Sequence, residues 1–294
     1  MSAVLPLSMI GVNNTSDDII VGNLAATFSR AYEPIPYSSV SNGKPVSIVG
    51  AGFSLAWSYK DIVGDVIACN SAHDFLISKG VIPKYAMIWD ANPIMKNILK
   101  EPHKDVTYLI ASRCHPSVFE LLKDHKVFVW HAMGSDPVEE HLVRLGRMEP
   151  MIAGGSSSVM RALYVAAALG YTTEMHLFGV CDDNDGKNTH VIGSLIEQKF
   201  MRLRVCGKWF NTTSWIAMQA GDAKVLLPHL KNMGIRIVVH GKGFLPYLAT
   251  FLGLETPDIK VRWYEKLRRE LHALALLYLE LRNSPNYIGG FNAG

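Results

Sequence analysis

The stretch on which the fold turns is VSIVGAGFSLAWSYKDI (46–62). A β-branched apolar run ends in Gly50-Ala51-Gly52, and a helical pattern over 54–62 begins almost at once. Strand, glycine turn and helix in that order open a parallel α/β unit, because parallel neighbours need a crossover connection. The same alternation recurs along the chain. DVIACNS (65–71), YAMIWD (85–90), DVTYLIAS (105–112), KVFVWHA (126–132), EMHLFGV (174–180) and IRIVVHG (235–241) read as strands rich in Val, Ile and aromatics. Their hydrophobicity is continuous and not alternating, which predicts strands covered on both faces. Helical patterns lie between and beyond them, over 71–79, 116–124, 157–169, 214–233 and 261–282. Gly64, Gly80, Gly170 and Gly234 fall at helix ends as expected of C-caps. The expected architecture is α/β: a mostly parallel sheet with helices on both faces and a long amphipathic C-terminal helix. Residues 1–44, with Pro34, Pro36 and a Ser-rich stretch, read as an N-terminal extension, 45–245 as the core, and 246–294 as the C-terminal helix and tail.

Composition agrees with one large core. Of 294 residues 49% are hydrophobic and 19% charged, which excludes a disordered chain. Lys and Arg number 29 against 26 Asp and Glu, a net charge of +3, so the charge does not indicate a nucleic-acid binder. Cys69, Cys114, Cys181 and Cys206 form no CxxC pair and read as reduced thiols, so a cytoplasmic location is expected. The N-terminus lacks the basic start of a signal peptide. The apolar stretch over 162–171 is far short of the roughly 18 residues of a membrane span.

In open parallel sheets ligands bind at the carboxyl ends of the strands, and the unusual residues crowd there. Gly50, Gly52 and Ser54 form a turn at which a ligand could approach the backbone and an anion could meet free helix N–H groups. The full GxGxxG pattern is missing and no acidic residue closes the next strand, so a mononucleotide or nucleotide-sugar phosphate suits it better than NAD. A turn with no ligand is the plainer alternative. Asn70 suits a ribose hydroxyl or a base edge; helix capping together with Ser71 is equally compatible. Asp90 suits a ribose, a sugar or a metal, or else caps the next helix. Gly154, Gly155, Ser156, Ser157 and Ser158 feed an Ala-rich helix and make a second anion cradle, which is neither a P-loop nor a nucleophile elbow. Downstream, Asp182, Asp183 and Asp185 read as an acidic surface turn. His190 beyond them is a candidate general base near neutral pH. No HExxH occurs among the 11 histidines, and no metal site is expected. Lys208, Gln219 and His240-Gly241-Lys242-Gly243 are further candidate contacts at the same edge.

VGAGFSL, CNSA, IPKYAMIWD, GGSSSVMRALYVAAALGY, HLFGVCDD and TTSWIAMQA, in this order, resemble the 6-hydroxymethylpterin diphosphokinase-like family over roughly residues 45–245. That family includes motility-associated flagellin glycosyltransferases, and its Rossmann-like core is similar to that of the bacterial lipooligosaccharide sialyltransferases. The resemblance implies a nucleotide-binding transferase core. The diphosphokinase branch carries a paired-aspartate DxD-type stretch where this chain has only Asp90, whereas Asn188-Thr189-His190 looks like the sialyltransferase stretch with the proposed base, and Cys69-Asn70 like the nucleotide-contacting asparagine. Carried over, Gly50, Gly52 and Ser54 hold donor phosphate, Asn70 and Ser156 to Ser158 hold the nucleotide, and His190 is the base. The resemblance thus implies a glycosyltransferase with a nucleotide-sugar donor, CMP-type favoured, and a hydroxyl acceptor. The alternatives are a diphosphokinase using ATP and Mg2+, and a non-catalytic nucleotide-binding or assembly protein. The C-terminal helix is a candidate homo-oligomer contact.

Overall fold

The computed structural model describes residues 15–147, 149–180, 191, 200–205 and 208–260. The chain divides into two units, Met1–Asp258 and Ile259–Gly294. All the elements below belong to the first. The expected helix over 261–282, the acidic turn, His190, Cys181 and Cys206 lie outside the described residues.

The elements follow in this order: helix α1 (Asp17–Phe28), strand β1 (Glu33–Pro34), β2 (Pro45–Val49), α2 (Leu55–Ser58), β3 (Asp65–Cys69), α3 (Ala72–Ser78), β4 (Tyr85–Ile88) and β5 (Thr107–Ala111). Then come α4 (Pro116–Leu121), β6 (Val127–Ala132), α5 (Asp136–Arg144), β7 (Met151–Ile152), α6 (Ser158–Ala168), β8 (Glu174–Phe178), β9 (Phe200–Val205) and β10 (Lys208–Thr213). The last are α7 (Ser214–Asn232), β11 (Arg236–Val239) and α8 (Phe244–Phe251). Every expected apolar run from β2 to β11 is a strand. The expected helix over 54–62 is shorter: α2 ends at Ser58 and a 3-10 turn, Tyr59–Asp61, replaces its remainder.

The main sheet has nine strands in the order β1-β6-β5-β4-β3-β2-β8-β11, with β7 beside β6. Its described pairs are all parallel. The fold is α/β and Rossmann-like: β2 lies between β3 and β8, so the direction of winding reverses there, and that crevice is where such sheets bind ligands. Ile48, Ile67, Met87, Leu109, Val129 and Leu177 are buried along the strands, as full cover on both faces requires. Each such side chain contributes about 1.5–3 kcal/mol on burial. The Ala-rich α6 buries Met160, Leu163, Val165 and Ala166 against the sheet.

Two features were not expected. Helix α1 sits on the carboxyl edge: Asn23 Nδ2 donates to the carbonyls of Ala91 (3.1 Å) and Arg113 (3.0 Å), and Thr27 Oγ1 donates to Ser112 O (2.9 Å). Strands β9 and β10 form a separate antiparallel hairpin that leads into α7.

Candidate functional site

The carboxyl ends of β2, β3, β4 and β5 lie side by side and carry Gly50, Asn70, Asp90 and Arg113 in turn. The first glycine loop continues the pairing of β2 with β8: Gly50 N–H donates to Phe178 O and Gly52 N–H to Gly179 O, both at 2.8 Å. A Cβ at Gly50 would stand 2.7 Å from Gly179 O and 2.8 Å from Val159 Cγ2. Glycine is therefore required there by the approach of two strand ends. Ser54 is fully buried, and a Cβ on the facing Gly241 would lie 2.5 Å from its Oγ. Helix α2 has only four residues, so little macrodipole stands behind this loop. Phe53 and Trp57, both exposed, make an edge-to-face pair with centroids 5.4 Å apart.

The second loop opens the longer α6, of 11 residues. Ser157 is its N-cap and accepts from Met160 N–H at 3.2 Å. Ser156 donates through both N–H and Oγ to one oxygen of Asp222 on α7, each at 2.6 Å. Ser158 Oγ accepts from Asn70 Nδ2 at 2.9 Å, a bond between residues 88 apart in sequence. That contact brings the second loop to the end of β3, beside the first. Asn70 has φ +53°, a left-handed conformation that asparagine tolerates better than most residues. Its Oδ1 is buried and has no hydrogen-bond partner among the described residues. Ser71 precedes α3 without a side-chain capping bond. Asp90 Oδ1 accepts from Asn92 N–H (2.9 Å), and Asn92 Oδ1 in turn caps the next 3-10 turn at Ile94 N–H (3.0 Å). His190 lies outside the described residues; Val191, the next residue, donates its N–H to Ala51 O at 2.9 Å.

Of the downstream candidates, Gly241 faces Ser54 of the first loop. His240 is buried, with Nε2 2.9 Å from His176 Nδ1 and its ring stacked on Phe178. Burial and the neighbouring His176 hold its pKa below the ordinary histidine value. Lys208 Nζ lies over the rings of Phe210 and Tyr247, and Gln219 is buried.

Sequence reading passed over three residues beside the second loop. Arg161, on the first turn of α6, is 6% exposed, and Arg113, after β5, is 5% exposed. Their guanidinium carbons lie 4.8 and 5.3 Å from the centroid of the Trp89 ring. Arg161 Nη1 donates to the carbonyls of Ile152 (3.0 Å) and Met133 (3.3 Å). Burial first, then the like charge of Arg113, pulls the Arg161 pKa down to about 10, against the opposing pull of Asp222. Burial also lowers Arg113, opposed by Cys114, Asp90 and Asp17. The available signal was the arginine that ends the SSSVMR run, the fourth residue of α6, among residues that the helix buries.

Among the described residues no group of three or more His, Cys, Asp or Glu is placed to hold a metal ion, and no helix is long and apolar enough to cross a membrane. The fold is similar to that of a MAf glycosyltransferase from Magnetospirillum magneticum AMB-1, at 15% identity and a TM-score of 0.59. The match covers 89% of this chain and 42% of that one, so the chain spans less than half the length of its neighbour. No curated protein matches the chain. The model of the family described as 6-hydroxymethylpterin diphosphokinase MptE-like matches residues 20–182, more than half of the sequence. The chain belongs to the 6-hydroxymethylpterin diphosphokinase MptE-like family.

Proposed function

We propose that the chain is a glycosyltransferase-like enzyme that uses a nucleotide-activated sugar, of the CMP type, at the junction of the two glycine loops. The observation that carries the reading is the Asn70–Ser158 hydrogen bond, which joins both loops at the carboxyl edge and leaves Asn70 Oδ1 without a protein partner among the described residues. An amide oriented by one bond, with its other end open, suits recognition of a nucleotide hydroxyl or base edge. The loops at Gly50, Gly52 and Ser54 and at Gly154 to Ser158, with Asn70, Ser71 and Asp90 beside them, form the donor site. His190 is the general base: it takes the proton of the acceptor hydroxyl as that oxygen bonds to the anomeric carbon and the bond to the nucleotide phosphate breaks. The tie between Val191 and the first loop supports this role. The departing phosphate is stabilised by preset N–H dipoles at the start of α6. The fold shared with a glycosyltransferase is in keeping with this chemistry.

Family membership favours one other reading, pyrophosphoryl transfer from ATP with magnesium. A thermal-shift panel of CMP, CDP, UDP, GDP, ADP and ATP, with and without magnesium, separates the two. Stabilisation by CMP without magnesium is expected; stabilisation by ATP only with magnesium, followed by AMP release, would replace the first reading with the second. Full transfer activity in His190→Ala would remove the base assignment.

A further inference from the structure

Glu174, His176 and His240 form a hydrogen-bonded line along one face of the sheet. The two-residue period of β8 puts Glu174, His176 and Phe178 on the same face. His240, just past β11, stacks its ring on Phe178 with centroids 4.1 Å apart. His176 Nε2 lies 2.7 Å from Glu174 Oε1, and His176 Nδ1 lies 2.9 Å from His240 Nε2. Both imidazoles are buried, each 8% exposed.

The bonds fix where protons can sit. An ionised carboxylate only accepts, so His176 Nε2 carries a hydrogen. One hydrogen lies between the two rings, because two would clash and none would leave no bond. In the neutral pair the open lone pair is therefore on His240 Nδ1, which no described residue hydrogen-bonds. An added proton ends on that nitrogen, whichever ring is counted as charged. A second would break the bond between the rings. The line takes up one proton, at its far end.

That end lies beneath the first glycine loop. Phe178, on which His240 stacks, accepts Gly50 N–H through its carbonyl. Gly241, next to His240, packs so closely on Ser54 that a Cβ there would lie 2.5 Å from Ser54 Oγ. Among the described residues the charged groups facing the pair are Glu174 and Arg236 on the strands, Glu255 and Asp258 after α8, and Asp61 after α2. Glu174 and Glu255 are tied to Arg236 toward the other end of the strands; Glu174 is four residues, or about 13 Å, from Phe178. Asp258, which accepts Gly241 N–H at 2.6 Å, and Asp61 stand on the side of the loop. They repel an anion while His240 is neutral, and the four-residue α2 brings little macrodipole against them. Burial first, then His176, lowers the His240 pKa, against the pull of Asp258 and Asp61.

We propose that His240 supplies the positive charge of a phosphate subsite at the first glycine loop, and that the donor nucleotide binds there together with one proton. This rests on the nucleotide-donor reading of the same junction. Glu174 and His176 are positioning residues, which set the tautomer of His240. A phosphate at the loop raises the His240 pKa, so anion and proton each favour the other by linkage. Between the free and bound pKa values, affinity rises as pH falls.

The test is calorimetric titration of the full chain with CMP at pH 6.0, 7.0 and 8.0, in two buffers of different ionisation enthalpy, which counts the protons taken up. Wild type is compared with His240→Gln, whose amide can still donate to His176 Nδ1 but takes no proton. The second ionisation of the CMP phosphate, at about pH 6, occurs with both proteins and drops out of the difference. At pH 6.0 the wild type is expected to bind CMP at least about fivefold more tightly than folded His240→Gln, with the advantage gone by pH 8.0. The wild type should also take up more protons on binding. If His240→Gln does not fold, Glu174→Gln keeps an acceptor for His176 and removes its charge; the gain in affinity from pH 8.0 to 6.0 should then shrink at least about twofold. Equal proton uptake in wild type and variant, or a loss of affinity that does not change with pH, overturns the inference and leaves the nucleotide-donor reading standing. No CMP binding to the wild type at any pH overturns both.

Discussion

Replacing Gly50 by alanine separates the two uses a glycine loop can have, room for a ligand and room for the protein's own backbone. At Gly50 the added methyl would meet Gly179 O at 2.7 Å and Val159 Cγ2 at 2.8 Å. Val159 can rotate; Gly179 O cannot withdraw easily, because it accepts the Gly52 N–H at 2.8 Å and ends the β2–β8 pairing. Overpacking against such a partner costs about 2–3 kcal/mol. The reduced entropy of the unfolded chain returns about 0.4–1 kcal/mol. The net loss is about 1–2.5 kcal/mol, or a fall in melting temperature of about 2–10 °C for a domain of this size. Urea denaturation followed by circular dichroism measures it. The control is Gly22→Ala, on exposed α1 surface where a Cβ meets nothing within 4 Å, which should gain about 0.5–1 kcal/mol. An unchanged urea midpoint in Gly50→Ala, with an unchanged slope, would refute the reasoning and return Gly50 to a role in ligand access alone.

Asp222→Ala leaves the N–H and hydroxyl of Ser156 without their acceptor and should cost about 2 kcal/mol in urea denaturation. Ser157→Ala removes the N-cap of α6 and should cost about 1 kcal/mol by the same measurement. Burial lowers the folded pKa of His131 and His240, so below the unfolded value near 6.5 the unfolded chain binds more protons. Stability is thus full above about pH 6.5 and declines as pH falls from there toward the folded values. Glu149 and Glu255, whose pKa values are also lowered, add a loss at more acid pH. His131→Gln should flatten the limb just below pH 6.5 in a series of thermal melts; an unaltered limb would contradict the assignment.

The sheet was legible because its strands are covered on both faces and so appear as uninterrupted apolar runs bounded by glycines. The edge where the candidate residues gather followed from the same reading. What stayed hidden has physical reasons. Helix α1 buries Asn23 and Thr27 beside Ile20 and Leu24, and the partners of the polar two are carbonyls on loops 68 to 90 positions away, so only half of its buried face reads as apolar. Asp222 lies 66 residues from Ser156, and nothing local on α7 marks it. Arg113 and Arg161 were passed over because a charge is by default a surface residue; only the fold places both at the Trp89 ring. The hydroxyls of the second loop looked available for a ligand, whereas Ser156, Ser157 and Ser158 each hold a bond within the protein.

The most direct test of the nucleotide-donor claim is calorimetric titration of CMP into the wild-type chain and into Asn70→Ala, with Gly22→Ala as the control. The account predicts saturable binding to the wild type and the control, and a loss of about tenfold or more in folded Asn70→Ala. No CMP binding to the wild type, or equal binding to all three proteins, would contradict it.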